Sequence, residues 1–156
     1  MQFEQQTEPN SQIAKSPREV LLAWEAAYNR RDPFALIELY ADDAENLQVA
    51  FGETPLCGRD ALLESFVSFF RAFPDNYTNV ENLFVDGEWA IVEWRGGGTF
   101  TGELGGMQPT GKSFELRGCG FFHVVAGKIR FQRGYFDRHT WFNQIGVPME
   151  AEQTQI

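Results

Sequence analysis

The hydrophobic period of this chain changes once, near Tyr77, and that change restricts the possible folds more than any other feature. Before Tyr77, apolar residues recur three and four positions apart, which is typical of helices. After it come four runs with the spacing of strands, at about 77–85, 89–100, 113–125 and 129–137. Asp86-Gly87 and Ala126-Gly127 are tight hairpin turns. Helices followed by consecutive hairpins predict an α+β domain with the helices on one face of an antiparallel sheet.

Capping signals predict where the helices before Tyr77 begin. Ser16-Pro17-Arg18-Glu19 is a capping box with proline at the first helical position. Asp32-Pro33 starts a second, short helix by the same logic, and we expect it to reach Tyr40. A short strand at about 44–50 and a third helix at about 59–73 follow. One face of the third helix carries an aromatic stripe made of Leu62, Phe66, Phe69, Phe70 and Phe73.

Glycine-punctuated strands favour a strongly curved sheet, and a curved sheet over helices encloses a cone-shaped pocket. The 15 Phe, 4 Trp and 4 Tyr residues can fill a core or line such a pocket. We therefore predict one domain over residues 16–148 with a pocket for a small apolar molecule. The segments 1–15 and 149–156 are expected to be disordered tails.

Charge and composition exclude several partners. A net charge of -9 leaves no basic excess for nucleic acid or for anionic membrane surfaces. No apolar run approaches the ~20 residues of a membrane span, and the first fifteen residues lack a secretory signal, so we expect a cytoplasmic protein. Two histidines and two cysteines, all dispersed, predict no metal site, and the absence of a phosphate loop or dinucleotide fingerprint predicts no cofactor.

Several segments together resemble the SnoaL-like polyketide cyclases, within the superfamily of nuclear transport factor 2 and ketosteroid isomerase. The resemblance covers about residues 16–148 and is carried by Asp43 to Asn46, Gly58-Arg59-Asp60-Ala61, Phe73-Pro74-Asp75, Gly102 to Thr110, Gly127-Lys128-Ile129, Tyr135-Phe136-Asp137 and Gln144-Ile145-Gly146. It implies a cone-shaped α+β fold around a ligand pocket, and a homodimer.

The resemblance also implies a chemistry that this sequence does not fully repeat. Characterised cyclases of the family close a ring by intramolecular aldol condensation, with an aspartate as general acid/base, a histidine and an asparagine. Matched on the turn at Gly127, the aspartate falls on Gly134 and the histidine on Gly120, whereas the asparagine is kept as Asn46. Neither glycine can transfer a proton. If both face the pocket they enlarge it, and any acid/base group must lie elsewhere.

Glu93 and Arg95 are the first candidates for that group. They lie two positions apart on a strand and so share a face. If this face lines the pocket, Glu93 is a general base held by a charge partner. The alternative is a solvent-exposed pair, because the other face of the strand, which carries Ala90, Val92 and Trp94, is entirely apolar.

His123 and Asp137 are the second candidates, since they lie on adjoining strands and a histidine beside a carboxylate is a common acid/base unit. Each lies three positions from its family counterpart, an odd offset that puts it on the opposite face unless a bulge intervenes. The alternative for Asp137 is a capping role at the end of its strand.

Residues that could contact a substrate form a third group. Asn46 would hydrogen-bond to it, and Gly120 and Gly134 would make room for it. The pocket wall would be formed by the innermost aromatic residues, which could equally be ordinary core: Trp24, Tyr28, Tyr40 and Phe70.

These observations leave three hypotheses. The first is a cofactor-independent enzyme that moves a proton on a small apolar carbonyl or hydroxyl compound, by aldol cyclisation, isomerisation or dehydration. The second is a non-catalytic binding protein that kept the pocket and lost the acid/base residues. The third is an interaction module resembling nuclear transport factor 2, which needs a large exposed apolar face on the sheet. A buried Glu93 or Asp137 facing the pocket with a raised pKa would favour the enzyme.

Overall fold

The computed structural model describes residues 13–48 and 52–149, and its first helix begins where the capping signals predict. Helix α1 spans Pro17–Asn29. The hydroxyl of Ser16 accepts a hydrogen bond from the backbone nitrogen of Glu19 at 3.3 Å, and the Glu19 carboxylate accepts one from the backbone nitrogen of Ser16 at 2.7 Å. The capping box is therefore confirmed. The predicted tails fall mostly on residues outside the described ranges.

The strands expected after Tyr77 are confirmed to within one residue at each end. In chain order the remaining elements are α2 (Pro33–Ile37), β1 (Tyr40–Gln48), β2 (Leu56–Cys57), α3 (Arg59–Ala72), β3 (Tyr77–Asp86), β4 (Trp89–Thr99), β5 (Ser113–Val125), β6 (Lys128–Phe136) and α4 (Arg138–Ile145).

The end of the second helix was predicted wrongly. Helix α2 begins at the predicted cap, where Asp32 accepts a hydrogen bond from the backbone nitrogen of Ala35 at 2.9 Å, but it stops at Ile37. Tyr40 instead begins β1 and pairs with Ile129 of β6. That partner is 89 positions away in the sequence (129 minus 40), so no local signal near Tyr40 could reveal it.

The six strands form one curved, unclosed sheet in the order β2-β1-β6-β5-β4-β3. All neighbours are antiparallel except β1 and β6, which run parallel, so the predicted antiparallel sheet holds with one exception. Register shifts interrupt β1 against β6, β3 against β4, and β5 against β6. Such irregularities bend strands and increase their twist, which wraps the sheet around the helices.

The inner face of the sheet packs against α1, α2 and α3, and the predicted stripe on α3 forms much of this core. Its residues Leu62, Phe66 and Phe70 are buried, as is Phe73 just beyond the helix. Helix α4 covers one end of the sheet through Phe142 and Ile145, which pack with Phe73 in a second apolar cluster. No described helix combines the length and apolar character that a membrane span requires.

Candidate functional site

A cavity of about 1140 Å³ lies between the helices and the inner face of the sheet. Its volume is slightly above the usual range of about 300–1000 Å³ for small-molecule sites. The rings on its wall come from every layer of the fold and include Trp24, Tyr28, Phe66, Phe69, Trp94, Phe114, Phe122, Phe136 and Trp141. An aromatic wall of this kind suits a mainly apolar guest.

Most of the residues expected to contact a substrate line this cavity. Trp24, Tyr28 and Asn46 are on its wall, together with Gly120 and Gly134. Tyr40 and Phe70 are not on it. Both lie behind it: Tyr40 is completely buried, and Phe70 packs edge-on against Tyr28, with ring centroids 5.2 Å apart.

Gly120 and Gly134 are directly paired partners on β5 and β6, and both are buried on the inner face. The space over them is largely taken by neighbours. A Cβ atom built on Gly134 would lie 2.2 Å from Oε1 of Gln48, and one on Gly120 would lie 2.9 Å from the Phe122 ring. The expected enlargement of the cavity is therefore partly reversed, because the Gln48 side chain covers Gly134.

A chain of buried hydrogen bonds lies behind the cavity wall. The indole nitrogen of Trp24 donates to the Tyr40 hydroxyl at 3.0 Å, and that hydroxyl donates to Oε1 of Gln132. Burial raises the pKa of Tyr40 well above its ordinary value, so its hydroxyl stays protonated and acts as a donor. Gln132 also lines the cavity, and this network fixes its carboxamide there.

Two other polar groups on the wall lack partners. Asn76 is 1% exposed, and neither atom of its side-chain amide makes a hydrogen bond of normal geometry within the described part of the chain. The same holds for the indole nitrogen of Trp141. Burial raises the pKa of the neighbouring Tyr28 phenol, and the proximity of Asn76 offsets part of that effect.

The cavity wall also contains an ion pair. Glu53, from the loop before β2, and Arg138, the first residue of α4, form a two-pronged contact with distances of 2.9 and 3.3 Å. Their side chains are 22% and 12% exposed. Nearby, Asn46 accepts a hydrogen bond from the carboxamide of Gln48. Of these two polar contacts, the one between Asn46 and Gln48 lies beside the glycine pair, because Gln48 is the register partner of Gly134.

The first pair of predicted catalytic residues lies on the other face of the sheet. Glu93 is exposed and accepts a hydrogen bond from Asn82 at 2.6 Å, and Arg95 pairs with Glu115 at 3.1 Å. Neither lines the cavity. Strand alternation explains their position, because Val92 and Trp94 take the neighbouring inner positions of β4.

His123 and Asp137 are not brought together, and neither lines the cavity. His123 lies on the outer face, 2.9 Å from Glu88. Asp137 caps α4: its carboxylate accepts from the backbone nitrogen of Thr140 at 3.1 Å and from the Thr140 hydroxyl at 2.7 Å. These bonds lower the pKa of Asp137, opposite to the shift expected of a catalytic acid. The capping alternative for Asp137 therefore matches the structure.

Sequence reasoning missed Glu53, Gln48, Asn76 and Arg138 as wall residues. Glu53 and Gln48 flank a segment without a periodic pattern, so their direction could not be inferred. Asn76 directly follows Phe73-Pro74-Asp75, and Arg138 directly follows Tyr135-Phe136-Asp137. Their position next to these family motifs was the only feature of the sequence that pointed to them. Among the described residues, no group of three or more metal-ligating side chains lies together.

The sequence profile of the SnoaL-like polyketide cyclases matches residues 18–145, so this chain belongs to that family. Among solved structures, a protein from Jannaschia sp. CCS1 described as a SnoaL-like polyketide cyclase is 19% identical with a TM-score of 0.77, over 91% of this chain and 99% of its own. AclR from Streptomyces galilaeus, described as a hydroxylase, is 20% identical with a TM-score of 0.72, over 85% and 97%.

A third solved structure is somewhat closer in sequence. IdmH from Streptomyces antibioticus, described as a polyketide cyclase, is 26% identical with a TM-score of 0.70, over 85% of this chain and 100% of its own. The likeness to all three establishes the cone fold. The different descriptions of AclR and IdmH fit the rule that function depends on the site and not on the fold.

Proposed function

We propose that this protein is a cofactor-independent, cytoplasmic enzyme that binds a small, mainly apolar carbonyl or hydroxyl compound and moves a proton on it, by aldol cyclisation, isomerisation or dehydration. The observation that carries the proposal is the Glu53–Arg138 pair on the wall of an aromatic cavity. Family membership supports the reaction class.

Glu53 is the group we propose for proton transfer. A carboxylate has about four lone-pair sites, so Glu53 can hold Arg138 with two and still accept a proton from the substrate. The proton leaves a carbon beside the substrate carbonyl, an O–H bond forms on Glu53, and the resulting enolate takes the proton back at another atom. No oxidant or second reactant is needed.

A positioned donor is also required, since negative charge develops on the substrate oxygen. The buried hydrogen-bond chain presents the Gln132 carboxamide at the wall, and the Tyr28 hydroxyl stays protonated there. Arg138 holds Glu53 in place through the two-pronged contact. Asn46 would position the substrate, as the family resemblance implies.

Deuterium incorporation tests this proposal. The full chain is purified, any retained small molecule is identified by native mass spectrometry, and that molecule is incubated with the protein in D₂O. We expect deuterium beside its carbonyl, or conversion to a product, faster than in buffer. A retained molecule that neither exchanges nor changes over many protein equivalents would refute the enzyme.

The second candidate function is non-catalytic binding of the same class of molecule. The pairing of Gly120 with Gly134 favours it, because the two positions of the family's acid/base residues carry no side chain. The four catalytic candidates from the sequence all lie away from the cavity, which also favours it. Retention without exchange in the experiment above is the result that this function predicts.

We also propose that two copies of the chain associate through the outer face of the sheet. An aromatic patch there consists of Phe121, Phe131 and Tyr135, arranged around the Arg133 guanidinium at 5.5 to 5.9 Å from the ring centroids. The Nε atom of Arg133 is buried and makes no hydrogen bond within the described ranges. A second copy would bury these rings further.

A further inference from the structure

The backbone of Asn76 is held by two hydrogen bonds, whereas its side-chain amide makes none of normal geometry within the described part of the chain. Its backbone nitrogen donates to the Phe73 carbonyl at 3.0 Å, and its carbonyl accepts from the Arg31 guanidinium at 2.8 Å. The side-chain amide lines the cavity, is 1% exposed, and makes no hydrogen bond of normal geometry within the described part of the chain, although the Tyr28 hydroxyl lies beside it. Burying an amide group without a partner is unfavourable, so this side chain favours a guest that can pair with it.

The neighbours of Asn76 allow it to pack closely against the sheet and add further donors to the wall. Gly98 allows the close approach of Asn76, since a Cβ atom there would lie 3.2 Å from both Cα and Cβ of Asn76 and 3.3 Å from Cβ of Phe73. The Tyr28 hydroxyl lies beside the Asn76 amide. In the same sector, the ring of Trp141 lies 6.1 Å from that of Phe73 and carries the second unpartnered donor of the wall.

We infer that Asn76 recognises a planar group of the ligand that presents a hydrogen-bond donor and an acceptor side by side, as a lactam or another cis amide does. This rests on the proposed function, since it names the polar group of a molecule bound in the same cavity. The Asn76 amide offers one acceptor oxygen and a donor NH₂ group, so a ligand edge with the opposite order satisfies both at once.

Simpler polar groups fit this site less well. An ether or an ester carbonyl satisfies only the nitrogen of Asn76 and leaves its oxygen unpaired. A site built around buried hydrogen-bonding groups discriminates strongly against analogues that leave those groups unpaired. The sector is aromatic, with Phe69, Phe114 and Trp141 on the wall, so the edge is expected on a flat ring system.

Two probes of nearly equal shape test the inference on the full chain by isothermal titration calorimetry. The first is 2-quinolone, which has the lactam edge, and the second is 2-methoxyquinoline, which lacks the N–H donor. We expect at least about tenfold tighter binding of 2-quinolone, which corresponds to one hydrogen bond of about 1.4 kcal/mol. Equal affinities for the two probes would overturn the inference.

Asn76→Leu should abolish this preference without weakening the binding of 2-methoxyquinoline. Because the variant removes an unpaired amide, its melting temperature should be unchanged or higher, whereas a purely structural role predicts a fall. Asn79→Leu is the matched control, since Asn79 is an exposed asparagine three positions further along the chain, on β3, and it should keep the preference. Persistence of the preference in Asn76→Leu would contradict the inference.

Asn76→Asp keeps the size of the side chain, and serves if the leucine variant does not fold. Its carboxylate accepts two hydrogen bonds and donates none, so the preferred probe should switch from 2-quinolone to protonated 2-aminoquinoline, which has two adjacent donors. An unchanged preference for 2-quinolone in this variant would also overturn the inference. If wild type binds neither probe, or binds both equally well, this inference fails, and the deuterium experiment decides separately whether the proposed function holds.

Discussion

The two faces of the same sheet carry opposite kinds of chemistry. On the inner face, β5 and β6 present glycines and aromatic rings to the cavity. On the outer face, neighbouring positions of β4 and β5 carry exposed ion pairs such as Arg95–Glu115, and His123 contacts Glu88. One step along a strand separates these environments, so the direction of a side chain decides what its chemistry can reach.

The largest expected effect tests whether proton transfer belongs to the inner side alone. With an identified substrate, Glu53→Gln should lower turnover about 10²–10⁴-fold, because the amide cannot accept a proton. Glu93→Gln, the matched substitution on the outer face, should change turnover less than about twofold. Steady-state rates of the two variants decide the matter. If Glu93→Gln lowered turnover more than Glu53→Gln, the group that transfers the proton would lie on the outer face, against the proposal.

Two glycines of the inner face, Gly118 and Gly134, differ in how tightly their surroundings are packed. A Cβ atom on Gly118 would lie 2.3 Å from the Trp94 ring and 2.5 Å from the backbone oxygen of Tyr135, whereas one on Gly134 meets only the end of the Gln48 side chain. Gly118→Ala should therefore lower the free energy of unfolding by about 1–3 kcal/mol, and Gly134→Ala by less. Urea denaturation measures both. Equal losses would mean that Gln48 cannot move.

A third prediction concerns the outer face as an interface between copies. Phe121→Glu places a charge in the aromatic patch around Arg133, and desolvating that charge in an interface is unfavourable. We expect the dimer dissociation constant to rise by at least about tenfold, which sedimentation equilibrium would report as a fall toward the monomer mass. Arg117→Ala, at an exposed position of the same strand, is the control. A wild-type chain that sediments as a monomer would exclude the interface.

The smallest expected effect is a loss of folding stability at low pH. Hydrogen bonds from Thr99 lower the pKa of Asp75, and those from Thr140 lower the pKa of Asp137. Carboxyls with a lowered pKa in the folded state stabilise it above their unfolded pKa of about 3.9, and that contribution is lost as the pH falls through the folded-state values. Melting temperature should therefore drop below about pH 4, and Asp75→Asn should make the drop smaller. An unaltered acid profile would contradict this assignment.

Much of the fold follows from local signals in the sequence. The capping box at Ser16 and the turns at Asp86-Gly87 and Ala126-Gly127 depend only on neighbouring residues, and the elements they delimit are confirmed. The second helix ended earlier than predicted because Tyr40 belongs to a strand whose partner is distant in the chain. The parallel pairing of β1 with β6 was missed for the same reason.

The candidate site could be predicted only in part. Family resemblance indicated Asn46, Gly120 and Gly134, and all three line the cavity. It could not indicate that Gln48 covers Gly134, because this contact depends on the register between two distant strands. Glu53 and Asn76 were missed because a polar residue in a loop or at a strand start has no pattern that gives its direction.

The paired glycines Gly120 and Gly134 are positions at which two catalytic side chains could be introduced next to each other. Because Gly120 and Gly134 are direct cross-strand partners, a histidine at one and an aspartate at the other would arrive side by side, since such partners hold their Cβ atoms about 4.5–5.5 Å apart. The obstruction is the Gln48 carboxamide, together with the Phe122 ring. A dyad designed at these two positions therefore also needs a shorter side chain in place of Gln48.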